Sequence, residues 1–328
     1  YLLYLESHPY YTMKIFKGFI AIICIISSGC HGIKFHGKEN ALETPLTIID
    51  THIHLYDTER EAGVPWPPES DKVLYRPVLV EDFNKIAEKN HLTATVIVEA
   101  SDWESDNQWV LDLVKKNPTR YPGLVGSLKL GSDDFKKNLE KYSTDPRYVG
   151  IRMRSRPNGD QFFDDAVWRD LQILSDMGKT LDVLMFDFSL KDIDMVAKKL
   201  PNLKILINHV AGADIDGGPV DPNWLKDLKL AAQNANVFCK VSGLFQQSHK
   251  SPSPKEAEYY RPVLDSLWNT FGEDRLIYGS NWPVTDRGGS YAEYLRIIMH
   301  YFQPKGQAAL EKLMYKNAAE FYGLSEYQ

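Results

Sequence analysis

The chain has 328 residues, a formal net charge of −6 and 12% aromatic residues, seven of them tryptophan. Nothing at this length demands more than one large domain with a substantial core. The mild acidity, with no basic run carrying interleaved aromatics, argues against nucleic-acid binding, and the aromatic content favours a packed, enzyme-like domain over a disordered one.

Residues 1–12 precede Met13 and read as upstream of a native start. Lys14 and Lys17 then give a positive segment, Gly18 to Ile26 an apolar one, and Ser27-Ser28-Gly29-Cys30 a small-residue site. Residues 13–30 therefore read as a secretory signal. The apolar segment is much shorter than the ~20 residues that span a bilayer as a helix. Because the site ends in Cys30, it resembles a bacterial lipoprotein signal, in which lipid is attached to the cysteine. Ser27 stands where such signals usually carry an aliphatic residue. The expectation is an exported protein that meets the membrane only through a lipid on Cys30, with plain secretion as the alternative. Residues 31–45 are polar and read as a tether, which leaves 46–328 for the folded domain. Cys239 is the thiol left to that domain, so no internal disulfide is expected, and inside Val237-Phe238-Cys239-Lys240-Val241 it reads as a small buried hydrophobe.

From residue 46 onward short apolar, β-branched runs recur at Thr47–Asp50, Thr95–Glu99, Leu124–Lys129, Val149–Met153, Leu181–Met185, Lys204–Ile207, Val237–Val241 and Leu276–Tyr278. Helical patterns separate most of them. Val167, Leu171 and Leu174 lie at i, i+4 and i+7, opened by Asp164-Asp165 and closed by Gly178. Leu310, Leu313, Met314, Asn317, Ala318 and Phe321 repeat the pattern and end at Gly323. Strand and helix alternating in this way imply parallel strands. Eight units match a single-domain (β/α)8, or TIM, barrel better than an open sheet. No Gly-x-Gly-x-x-Gly follows any run, so a dinucleotide site has no support.

In such a barrel the chemistry sits at the carboxyl ends of the strands. The first run ends in Asp50-Thr51-His52-Ile53-His54, and in an extended chain residues i and i+2 share a face, so His52 and His54 can aim two imidazoles at one atom. A lone His-x-His is equally what a solvent-facing strand end shows. The other runs end at Glu99, Lys129, Arg152 with Arg154, Asp187, His209, Ser242 and Asn281. Any one of these has a bland explanation, a strand cap for Glu99 or Lys129 and a satisfied core histidine for His209. Their recurrence at strand after strand does not. Arg152, Arg154 and Arg156 alternate, which in an extended chain puts three guanidiniums on one face, suited to a carboxylated or polyhydroxylated substrate. The stretch from Gly63 through Trp66 to Arg76 is long, proline-stiffened and aromatic, and reads equally as a lid over the mouth or as a packed surface loop.

His52-Ile53-His54, Val149-Gly150-Ile151-Arg152, Ile207-Asn208-His209, the run Asn236 to Leu244 and Ile277-Tyr278-Gly279-Ser280-Asn281-Trp282-Pro283-Val284 together resemble the amidohydrolase-related family. They are most similar to its branch of sugar-lactone hydrolases, the fuconolactonase and rhamnonolactonase relatives, which is related to the pyrone-dicarboxylate lactonases. The resemblance covers about residues 46–325 and implies a (β/α)8 barrel of the metal-dependent hydrolase type. It implies a reaction centre of His52, His54, His209 and residue 281, with Glu99 and Arg152 on the substrate. The family's last-strand motif reads Gly-Ser-Asp-Trp-Pro, whereas position 281 here is Asn. A neutral amide cannot act as general base, although it can orient a water or ligate a metal weakly through its oxygen.

These readings define the expectations. The substrate is a small molecule, a sugar-derived lactone or related cyclic ester opened by water. The alternatives are a lyase acting on a small carboxylic acid and a non-catalytic sugar-acid-binding lipoprotein. His209, Asn281 and Glu99 are the catalytic candidates, with Glu99 and His209 ranked above Asp187 as base. Arg152, Arg154, Trp282, Asp187, Lys129 and Trp66 are the substrate-binding candidates. His52, His54 and His209 would hold one divalent ion such as zinc, since His-x-His is half of a zinc site. A metal-free mechanism stands beside this one, and no lysine follows the Leu181–Met185 run to support the two-metal form.

Overall fold

The computed structural model describes residues 46–156 and 159–328. The signal, Cys30 and the tether lie outside the described residues. Thr44–Gln328 form one compact unit. Its strands are β1 (Ile49–Ile53), β2 (Ala94–Val98), β3 (Gly123–Gly126), β4 (Tyr148–Met153), β5 (Thr180–Val183), β6 (Ile205–Ile207), β7 (Val237–Val241) and β8 (Leu276–Tyr278). They pair in sequence order, every neighbour parallel. Just beyond β8 the chain turns back onto β1, where Asn281 N donates to His52 O at 2.8 Å and His54 N to Trp282 O at 2.9 Å. The ring thus closes through the residues that the motifs single out.

The main helices are α1 (Val80–Lys89), α2 (Ser105–Val114), α3 (Phe135–Tyr142), α4 (Asp165–Asp176), α5 (Leu190–Lys199), α6 (Pro222–Ala232), α7 (Ala257–Phe271) and α8 (Tyr291–Phe302). On α4 the expected stripe Val167, Leu171 and Leu174 is buried, and the Asp164 carboxylate caps the helix by accepting from Val167 N at 2.9 Å. The carboxyl-terminal pattern is not one regular helix. It runs as α9 (Gln307–Glu311), a π-turn (Lys312–Lys316) and α10 (Asn317–Tyr322). The wider π-turn rotates the following residues, so that Leu313 and Met314 are buried before it ends and Asn317 and Ala318 after it.

Two apolar layers result. The larger lies between strands and helices; the smaller fills the barrel interior with Ile49, Val96, Val125, Leu206 and Ile277, sealed by Ala318, Phe321 and Tyr322 of α10. Lys204, just before β6, donates Nζ to the Glu320 and Phe321 carbonyls at 2.8 and 3.2 Å. This pins α10 under the amino-terminal end and leaves the carboxyl ends of the strands open. Cys239 is buried in the wall, and burial pushes its thiol well up.

Candidate active site

The site begins with a register slip. Between Asp50 and Ile53, β1 advances three residues while β2 advances two. The Asp50 carboxylate takes up the slack, accepting from His52 N at 3.0 Å, Ser280 N at 2.9 Å and the Tyr291 hydroxyl at 2.9 Å. One buried acid thereby fixes β1 against the turn after β8, and with it the rings of His52 and His54, whose centroids are 5.0 Å apart.

His209 reaches the same place from β6. Residues 209–212 all lie in the left-handed region, Val210 at φ 47° included. For a β-branched residue this is strained backbone, of the kind that persists where surrounding structure over-determines it. Here Trp224 Nε1 donates to Ala211 O at 3.0 Å, and Ser242 Oγ accepts from His209 N at 3.2 Å. Ser242 Oγ also lies 3.0 Å from His209 Nδ1, and the His209 ring sits 4.5 Å from that of His52. Gly243 is required beside it, because a Cβ there would come within 2.9 Å of the His209 Cβ and Nδ1.

The histidines are uncharged. Burial, then the Arg152 guanidinium, lowers His54 to about 3. Burial, with Arg152 next, puts His209 well below the ordinary imidazole range, and His52 follows through burial and Lys240. His54 Nδ1 faces the Val98 and Glu99 carbonyls at 3.0 and 3.1 Å, so its single proton is on that nitrogen. Its Nε2 lone pair meets the Asn281 amide at 3.2 Å, and the other end of that amide meets Gln246 at 3.2 Å. Half-turns of the Asn281 and Gln246 amides together put a donor on His54 and let Asn281 Oδ1 accept from Gln246 Nε2, which is buried and otherwise has no partner among the described residues. Asn281 sits at φ 61°, a conformation that Asn and Asp tolerate better than other side chains.

Glu99 is committed to arginines. Its carboxylate accepts from Arg152 Nε at 2.6 Å and Arg154 Nη1 at 3.0 Å, and its carbonyl accepts from Arg152 Nη2 at 2.8 Å. Burial raises this carboxyl and the guanidiniums pull it down. With both oxygens bonded it is a holder of arginines rather than a free base. Below the histidines lies a buried ion pair, Lys240 Nζ on Asp182 Oδ2 at 2.8 Å. Lys240 also contacts Thr51 O at 2.9 Å, the Tyr322 hydroxyl at 3.1 Å and His52 Nδ1 at 3.4 Å, while Asp182 accepts from Asn208 Nδ2 at 2.9 Å.

A cavity of about 510 Å³ opens at the carboxyl ends of the strands, lined in part by His54, Trp66, Arg152, Arg154, His209 and Asn281. That is the size of a small-molecule site, roughly 300–1,000 Å³. Five sequence candidates do not line it: His52 and Glu99 are buried behind the lining residues, and Lys129, Asp187 and Trp282 lie elsewhere. β3 stops at Gly126, so Lys129 lies past the strand and is exposed. Asp187 is also exposed, accepting from Arg156 N at 3.3 Å. Trp282 is buried against Phe83 with ring centroids 5.3 Å apart. Arg156 leaves the arginine row for Asp192 and the Phe188 ring. The 63–76 loop is packed and also walls the mouth: Trp66 lies edge-on to His54 at 5.6 Å, and the loop is tied by Arg76 to Asp286 at 3.3 Å and by Asp71 to Arg287. Gln246, Arg287 and the Lys240–Asp182 pair were not among the sequence candidates. The last did leave a sign, since a lysine and an aspartate interrupt two otherwise apolar strands.

An amidohydrolase family profile matches residues 49–324. The chain belongs to the amidohydrolase family. It is 30% identical to the L-fucono-1,5-lactonase of Burkholderia ambifaria over 251 residues, 75% of this chain and 83% of that one. Among solved structures it is similar to an amidohydrolase from Burkholderia multivorans with bound HEPES (TM-score 0.76, 23% identity, 84% of this chain and 99% of the other). A second crystal form of an amidohydrolase from that organism has bound zinc (TM-score 0.74, 24% identity, again 84% and 99%). The fold is therefore the amidohydrolase barrel.

Members of this fold often carry a divalent ion, and one feature here would suit it. His52 Nε2 is buried with no partner among the described residues, as an unfilled ligand would be. Against it, no three His, Cys, Asp or Glu side chains among the described residues are grouped to hold an ion. The group at position 281 is a neutral amide, and a buried ammonium, Lys240, stands 3.4 Å from His52 Nδ1. Neutral imidazoles suit a metal, but with a cation beside His52, His54 Nε2 already on the Asn281 amide and no acidic ligand grouped with them, the set does not fit a resident divalent ion.

Proposed function

We propose that this amidohydrolase opens the ring of a sugar-derived lactone by adding water at the ester carbonyl. The observation that carries the reading is the cavity itself. Neutral His209, Asn281 and Arg152, from β6, the turn after β8 and β4, line one small-molecule-sized space. Similarity to a protein named L-fucono-1,5-lactonase supports the same reaction.

In the reaction the oxygen of water bonds to the lactone carbonyl carbon as His209 accepts a proton from it. With Ser242 Oγ taking the Nδ1 proton, His209 Nε2 offers a lone pair, and its lowered basicity keeps it uncharged near neutral pH. Arg152 Nη1, which has no hydrogen-bond partner among the described residues, is the donor available to the oxyanion that develops. The ring C–O bond then breaks, and the alkoxide takes the proton back from His209 to give the hydroxy acid. Asn281 orients the water, since an amide can donate and accept but cannot take the proton.

The test is a panel of aldonolactones with proton release as the readout. Turnover of at least one member is expected, with loss of about 100-fold or more in His209→Ala, the scale of removing a positioned acid–base group. A folded protein that turns over no lactone on the panel rejects the reading.

A further inference from the structure

We infer that the lactone this enzyme prefers carries a carboxylate of its own, bound by Arg154. The inference rests on the lactone reading above and narrows it to an anionic substrate class.

Among the described residues the charged side chains lining the cavity are Arg152, Arg154 and Arg287, and none is a carboxylate. Arg287 is matched by Asp71. Arg152 and Arg154 share the single carboxylate of Glu99, so one positive charge is left over. Among the described residues nothing else in the wall balances it: burial holds His54 and His209 in their uncharged forms, and Asn281 and Gln246 are neutral amides. A surplus cation in a partly desolvated cavity is costly until an anion joins it.

Arg154 is placed to receive that anion. Among the described residues its side chain makes one hydrogen bond, Nη1 to Glu99, which leaves Nε and Nη2 free. The side chain is 29% exposed, against 5% for Arg152, so Arg154 faces the space while Arg152 is built into the wall. Its guanidinium is already oriented by Glu99, which lowers the entropy lost on gripping a carboxylate. The β5–α5 side of the cavity, Leu184, Met185 and Phe186, offers an apolar surface and no side-chain donor, so a charged substituent is turned away from that side.

The surplus charge has a second conceivable use, holding the acid that any lactone yields on opening. Matched substrates separate the two. D-glucono-1,4-lactone and D-glucaro-1,4-lactone share a ring and differ in a terminal hydroxymethyl or carboxylate, and the galacto pair repeats the comparison. The carboxylated lactones should show kcat/KM at least about tenfold higher, mainly through KM, the worth of one charge-assisted hydrogen-bond pair. The advantage should shrink with added salt and fall toward unity in Arg154→Gln, which leaves Glu99 paired with Arg152. Equal kcat/KM within both pairs overturns the inference and leaves lactone hydrolysis standing. If no lactone is hydrolysed, the lactone reading fails, and calorimetric titration with D-glucarate against D-gluconate decides the inference. Tighter binding of the dianion, lost in Arg154→Gln, supports it; equal affinity overturns it.

Discussion

Asn281 is the residue at which the chain departs from the last-strand motif that its sequence resembles, and its surroundings explain what an amide does there. An aspartate here would present only acceptors to His54 Nε2, whose ring has its one proton directed at the Val98 and Glu99 carbonyls. The pair would need an additional proton, shared between the introduced carboxylate and His54. The amide needs none, so the native site avoids that titration. Asn281→Asp should keep lactonase activity but introduce a new acid limb in kcat/KM, while Asn281→Ala should lower kcat by about 100-fold or more, as for one preorganised polar group. Alanine also carries backbone strain at φ 61°, so circular dichroism must show a folded protein. A pH profile for Asn281→Asp that overlays the native one would remove His54 from the argument. The same residues bear on metal. With no grouped ligand set among the described residues, turnover of the purified enzyme should survive prolonged chelation, and elemental analysis should find no stoichiometric divalent ion. Activity that is lost to chelator and restored by zinc would refute the residue-only mechanism.

At the scale of elements, the strands supply both the walls of the site and its hidden supports. The Lys240–Asp182 pair joins β7 to β5 with both side chains fully buried and adds Tyr322 of α10, linking the sealed end of the barrel to the histidine layer. Removing one partner of such a pair costs about 3–5 kcal/mol because the other is left charged and buried, whereas replacing both with apolar groups is often near neutral. Lys240→Met should therefore lower the urea midpoint far more than Lys240→Met combined with Asp182→Leu. Equal loss in the two would show that shape, not charge, sets the cost. This pair also marks where the sequence was readable and where it was not. The alternation of runs sufficed for eight parallel strands, and the two-residue period placed His52 and His54 together, since both depend on local repeats. The partnership of Lys240 with Asp182 depends on which strands face each other across the barrel, which no local pattern encodes. Strand ends read by composition overshoot, as at Lys129, because an apolar run continues past the last paired residue Gly126. Gln246 reaches the cavity through loop geometry alone.

For the whole molecule, burying neutral histidines ties folding to pH with a definite sign. His54 has a folded value of about 3 against an ordinary unfolded value near 6.5. Between those limits the unfolded chain holds a proton on this ring and the native protein does not. Its contribution to stability is therefore fully present above about pH 6.5 and is lost as the pH falls toward 3, by about 1.4 kcal/mol per pH unit. His52 and His209 add to the loss in the same direction. Asp50 and Glu99, whose carboxyls burial raises, oppose it in the lower part of the range, because the native state is then the one that holds the proton. A single variant separates these contributions. His54→Gln keeps a polar side chain but no titration, so whatever it costs at pH 7.5, that cost should shrink by about 1.4 kcal/mol for each unit below 6.5. Urea unfolding of the native protein and the variant, at several pH values between 7.5 and 5, measures the difference directly, with the carboxylates cancelling between them. A stability difference independent of pH would mean that His54 is protonated in the folded protein. The proton assignment for the whole histidine and amide cluster would then have to be reversed.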